Sequence, residues 1–167
     1  MTEAAKQSRP DDSGKLDIRL AVPSDAQAIA TIHVQAWQAA YAHIFPTTFL
    51  TGLDVARRTE AWRQLLAAAI DVTLVAERDG AVAGWISGGL SDDADADGAA
   101  EIKAIYIAPA LWHRGIGRSL MAAIDQRLPV APYVLLWVLS ETGRRWISTA
   151  RWVIGPMARA RRSSVAG

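Results

Sequence analysis

Trp112-His113-Arg114-Gly115-Ile116-Gly117-Arg118 is the stretch that decides how this chain is read. Ahead of it, Ala100 to Ile107 is an apolar-leaning run that reads as a strand closed by Pro109. Behind it, Gly115 to Arg127 reads as a helix. The glycines at this handover let the backbone come close to a ligand and adopt conformations that a Cβ forbids. The first turn of a helix carries unpaired N–H groups and a partial positive charge. The combination makes an anion site suited to a pyrophosphate, with Arg114 and Arg118 adding charge at its rim. A glycine pair before a helix is equally compatible with a plain tight turn. The spacing lacks the Gly-Lys-Ser/Thr ending of a P-loop and the three glycines of the dinucleotide fingerprint.

Working outward, Leu16 to Ala21 alternates apolar and polar residues and reads as a strand. Pro23-Ser24-Asp25 opens a helix, with Ser24 or Asp25 as N-cap. Ile29, Ile32, Ala36, Trp37, Ala40 and Tyr41 recur at helical spacing and form its apolar face, and Pro46 ends it. A second helix is expected from Asp54 to Ala69 with Val55, Trp62, Leu65 and Leu66 inward. Strands Val72–Glu77 and Ala81–Ser87 flank Asp79-Gly80, a hairpin signal because the turn needs positive φ. Residues 88–99 read as a flexible acidic loop, and Tyr133 to Leu139 as a buried central strand. The expected order is β-α-α-β-β-β-α-β followed by a tail.

The chain has 167 residues, 51% of them hydrophobic and 21% charged, which suits one α/β domain with a core. A formal net charge of +1 gives no electrostatic argument for nucleic acid as a partner. The absence of cysteine excludes disulfides, zinc-thiolate sites and thiol catalysis, and fits a cytoplasmic location. No apolar run reaches the roughly 18–20 residues of a membrane span. Residues 1–14 are polar, lack the apolar core of a signal peptide and read as a disordered leader. His33, His43 and His113 have no metal-like spacing, so no metal is expected, and a structural role is expected for His33. Asp93 to Gly98 copies the first half of a calcium loop, but Ala104 stands where its last ligand belongs, which favours a solvated acidic loop.

Glu101-Ile102-Lys103-Ala104-Ile105-Tyr106-Ile107-Ala108-Pro109, the glycine loop, and Ser119-Leu120-Met121 together resemble the strand–loop–helix motif of the GNAT acetyltransferases. Trp37, Tyr41, Pro46, Leu50, Arg58 and Trp62 resemble that family's substrate-side helices, and Leu136 to Leu139 its following strand. The resemblance covers about residues 16–141 and implies a mixed, mostly antiparallel twisted sheet flanked by helices. It implies acetyl-CoA as co-substrate and an amine acceptor of unspecified identity. Ile105, Tyr106 and Ile107 would meet the pantetheine arm and acetyl carbonyl, and the loop from Trp112 through His113, Arg114, Gly115, Ile116, Gly117 and Arg118 to Ser119 the pyrophosphate. Family members usually carry Gln or Arg where Trp112 stands and often Gly where His113 stands. Glu101 is the candidate general base, acting through water, with a solvated strand start as the alternative. Trp37, Tyr41 and Trp85 are candidate substrate contacts, with core packing the alternative, above all for Trp37. The sequence names no acceptor and no oligomeric state; a dimer is compatible with it.

Beyond Leu139 the resemblance breaks. An Asn-led helix with Phe-Tyr and a Gly-Tyr turn are expected, and no tyrosine follows Tyr133. In the family such a tyrosine usually protonates the departing CoA thiolate. One codon set for Glu141 to Ala158, given a single added adenine after the Glu141 codon, translates as E-N-R-A-A-L-D-F-Y-R-A-L-G-Y-R-P-D-G. That is the missing segment in order. The codons were chosen within degeneracy, so the reading is a hypothesis: residues from about 142 are a frameshift product, leaving the last strands absent or malformed. Two further readings stay open, an acetyl-CoA-binding pseudoenzyme and a basic-tailed module for nucleic acid or lipid carried by the six tail arginines. Sequencing the gene across codon 142 tests the frameshift: codons that cannot yield Phe-Tyr in the alternative frame would sink it.

Overall fold

A computed structural model describes residues 15–93, 96, 98–139 and 149–154. The expected leader, Asp95 and Asp97 of the acidic loop, and the tail at residues 140–148 and 155–167 lie outside the described residues.

Strands β1 (Leu16–Leu20), β2 (Val72–Arg78), β3 (Ala81–Leu90), β4 (Ala100–Ile107), β5 (Val134–Leu139) and β6 (Thr149–Ile154) form one sheet in sequence order. Every neighbouring pair is antiparallel except β4 and β5, which are parallel. The fold is therefore the mixed, mostly antiparallel α/β sheet expected. Asp79 and Gly80 both take positive φ, 52° and 79°, as the β2–β3 hairpin requires.

The helices are α1 (Ala26–Ala40), α2 (Thr47–Thr51), α3 (Val55–Ala68) and α4 (Ile116–Asp125). Period-two alternation along the strands feeds two cores. On one face Leu74, Ala76, Ile86 and Ile102 pack with Ile116, Leu120 and Ile124 of α4. On the other Val75 and Trp85 pack with Ile29 and Ile32 of α1, and Trp62 and Leu66 of α3 close over them.

Several boundaries differ from the sequence reading. Leu65 points outward at 56% exposure, because α3 turns only the Trp62–Leu66 stripe to the core. Pro46, expected to end α1, does not: α1 stops at Ala40 with Tyr41 as its C-cap, and Pro46 is instead the N-cap of the short helix α2. Gly88 to Leu90, expected in the loop, extend β3. Thr149–Ile154 pairs antiparallel with β5, so a sixth strand stands where the last strands were expected to be absent or malformed.

Asp25 stands at the N-cap of α1 but bonds backwards. Its carboxylate accepts from the Val22 N–H at 2.8 Å and from both terminal nitrogens of Arg19 at 2.7 and 2.9 Å. Arg19 also donates to Glu77 of β2, so this cluster ties β1, β2 and the start of α1 together. Asp25 is buried, and its Arg19 partner holds its carboxyl below the usual range. Asp25→Ala should lower unfolding stability by about 2 kcal/mol in urea titration near neutral pH. A depressed carboxyl pKa stabilises above its unfolded value and loses that effect as pH falls, so the two proteins should converge in acid.

Candidate functional site: the wedge between β4 and β5

Strands β4 and β5 pair only at Ala100↔Val134, Glu101↔Leu135 and Ile102↔Leu136. Beyond these the strands part, although β4 continues to Ile107 and stays paired with β3 up to Gly84↔Ile107. The cause lies at Lys103. Ser87 faces Ala104 and Gly88 faces Ile102, which leaves Lys103 as an extra residue on β4. A bulge of this kind bends its strand and increases twist. Gly88 is required beside it, since a Cβ there would lie 2.7 Å from the Glu101 carbonyl oxygen. The Lys103 ammonium holds the bulge by reaching Asp71 at 3.1 Å and Asp92 at 3.0 Å.

The register also aims the backbone. The Ala108 N–H donates to the Ala83 carbonyl, so Gly84 and Ile107 oppose each other as a non-hydrogen-bonded pair. By alternation Ile86 and Ile105 do the same. The N–H and C=O groups of Ile105 and Ile107 therefore turn away from β3, into the wedge, while their side chains pack toward α4. Tyr106, between them, points to the α1 side.

At the mouth of the wedge stands the glycine loop. Gly115, φ 81°, is the N-cap of α4, and His113 takes φ 62°. A left-handed residue with a Cβ costs about 1–2 kcal/mol, which explains why glycine suits the His113 position. Ile116, Leu120 and Ile124 anchor the helix in the core. Its first intrahelical donor is Ser119, to the Gly115 carbonyl at 3.1 Å, so the N–H groups of Ile116, Gly117 and Arg118 remain outward. A Cβ on Gly117 would meet nothing nearer than Ile105 and Ile107 at 4.0 Å, so this glycine leaves open space over the strand. Arg118 borders a cavity of about 300 Å³ with Ile102, Met121, Asp125 and Val134 at the root of the wedge. Trp112, replacing the usual polar residue, is 37% exposed and donates its indole N–H to the Ile107 carbonyl at 2.9 Å. That oxygen thus already accepts one hydrogen bond, while the Ile107 N–H faces the wedge.

Glu101 lies at the closed end, one pair before the strands part. The Ser91 hydroxyl donates to its carboxylate at 2.7 Å. Trp85 corrects its expected role: it is fully buried, donates to the Ile29 carbonyl at 3.1 Å, and is core. Trp37 and Tyr41 are half-buried on the α1 side, and the Trp37 indole donates to the Tyr106 hydroxyl at 2.8 Å. The sequence reading missed Phe45 and Phe49, which continue this aromatic row with ring separations of 5.8 Å from Trp37 to Phe45 and 5.2 Å from Phe45 to Phe49. Their four-residue spacing after Tyr41 was the available signal.

His33, expected to be structural, stacks on Tyr106 at 4.6 Å between Trp37 and Trp85. Its buried Nδ1 has no partner. Burial, with help from the Arg58 charge, pushes its pKa from 6.5 down to about 4. Burial likewise pushes Tyr106 up. Unfolded chains then bind a proton at His33 that the folded protein refuses, so stability should fall as pH drops from about 6.5 toward 4. Thermal melts across that range should show a shallower slope for His33→Phe; an unchanged slope would contradict the buried neutral imidazole.

Among the described residues no group of three His, Cys, Asp or Glu could hold a metal, and no helix is long and apolar enough to cross a membrane. Residues 29–141 match the profile of the Acetyltransferase (GNAT) family. The uncharacterized N-acetyltransferase YuaI of Bacillus subtilis is 30% identical over 107 residues, 63% of this chain and 60% of that protein's length. Among solved structures, the PaiA N-acetyltransferase of Thermoplasma acidophilum in complex with coenzyme A is similar with a TM-score of 0.59 at 18% identity, over 77% of this chain and 82% of that one. The yncA structure of Salmonella typhimurium with acetyl-CoA follows at 0.56 and 24%, over 76% and 72%. With the parted strands, the bulge and the glycine loop in the region matched, the chain belongs to the GNAT family of acetyltransferases.

Proposed function

We propose that this chain transfers an acetyl group from acetyl-CoA to the amine of a small molecule or a protein. The wedge carries the reading: backbone donors of Ile105 and Ile107 face one line of approach, and the open N–H groups of α4 stand at its mouth. A pyrophosphate on the Gly115–Ser119 turn is stabilised by those N–H groups and by Arg114 and Arg118. The pantetheine arm, an extended amide chain, completes the missing strand pairing beside Ile105 and Ile107. Relatives captured with coenzyme A and acetyl-CoA support the same choice of substrate.

In the reaction the acceptor nitrogen attacks the thioester carbonyl, the C–N bond forms, and the C–S bond breaks. The nitrogen loses one proton and the sulfur leaves as thiolate or takes one up. Glu101, oriented by Ser91, accepts the proton through a water. A wedge N–H of β4 polarises the carbonyl and stabilises the oxyanion. A thiolate is a competent leaving group, so transfer does not strictly require the expected tyrosine.

The alternative, an acetyl-CoA-binding protein without turnover, draws support from the lack of tyrosine after Tyr133. Calorimetric titration of acetyl-CoA followed by a thiol-release assay with an amine panel separates the two. Saturable binding with CoA release is expected, and Glu101→Gln should lower kcat by about 10²-fold while acetyl-CoA still binds. Binding without release favours the alternative; no binding by folded protein defeats both.

A further inference from the structure

Arg58 is half-buried on α3, one turn before Trp62 and on the same face. Trp62 packs on Trp85 at 4.6 Å, and Trp85 packs on both His33 and Tyr106. Arg58 thereby lies on the face of α3 that turns toward the aromatic cluster of the α1 side. Among the described residues no carboxylate pairs with it. His33, whose pKa burial lowers to about 4, is a neutral imidazole near pH 7 and cannot balance it. A partly buried cation with no counter-ion among the described residues, beside a substrate wedge, is an unused anion subsite.

The same corner carries an apolar wall. Trp37, Tyr41, Phe45 and Phe49 run from the Tyr106 hydroxyl outward, and Phe49 remains 48% exposed. Polycationic acceptors would be repelled by Arg58.

We propose that the acceptor is a small amine with an aromatic or bulky apolar body and one carboxylate close to the amine, the chemistry of a free aromatic amino acid. Its ring lies on the Trp37–Phe49 wall, its carboxylate meets Arg58, and its amine turns toward β4. This assignment rests on the acetyltransferase reading of the same wedge.

The test is equilibrium binding to the full chain, read by tryptophan fluorescence with and without saturating CoA. The probes are phenylalanine, phenethylamine, alanine and a straight-chain diamine. Phenylalanine should bind at least about tenfold more tightly than the other three, the gain expected of one well-placed charge-assisted pair. Arg58→Gln should erase its advantage over phenethylamine, and Arg58→Lys should keep part of it; circular dichroism confirms that both variants fold. Equal binding of phenylalanine and phenethylamine, tighter binding of the diamine, an advantage that survives Arg58→Gln, or no phenylalanine binding would each overturn the assignment. Binding is read without turnover, so a failure of acetyl-CoA to bind or react counts against the acetyltransferase reading alone.

Discussion

The site depends on one extra residue in one strand. Lys103 has no opposite number on β3, and the bend it imposes coincides with the last β4–β5 pair. A parallel pair that stayed in register to Ile107 would satisfy the backbone groups of Ile105 and Ile107 within the sheet and leave no wedge. The bulge instead leaves hydrogen-bonding capacity of β4 unpaired by β5 beyond Ile102. It is held from both sides, by the Lys103 ion pairs with Asp71 and Asp92 and by the close approach that only glycine permits at Gly88. Partly exposed ion pairs contribute modestly, so the glycine contact and the strand register carry most of the constraint.

Around this wedge the two faces of the sheet divide the work. The α4 face supplies a deep aliphatic core, and from it the helix N-terminus projects with its donors open. The α1–α3 face is aromatic, and its rings reach from full burial at Trp85 to the surface at Phe49. Tyr106 connects the two, its backbone at the wedge edge and its ring between His33 and Trp37. The rings on this side are rigid and have little conformational entropy to lose.

Much of this was legible in the chain itself. Hydrophobic period separated strands from helices, Asp79-Gly80 marked its hairpin, and the Gly115-Ile116-Gly117 spacing marked the turn that opens α4. The misreadings share a cause. Leu65 has helical spacing but falls outside the stripe that the sheet covers, and Trp85 looks like a ligand contact until the packing of α1 and α3 encloses it. A residue's exposure depends on partners distant in sequence, and no local pattern reports it.

The sequence by itself determined the fold class, the glycine turn and the acidic residue at the start of β4, because these follow from propensity, periodicity and backbone freedom over a few residues. Only the tertiary structure decided that β4 and β5 part after Ile102, that Trp112 donates to the Ile107 carbonyl, and that Arg58 has no carboxylate partner among the described residues. Each of these depends on the register or separation of segments far apart in the chain, a quantity set by packing the whole sheet against its helices.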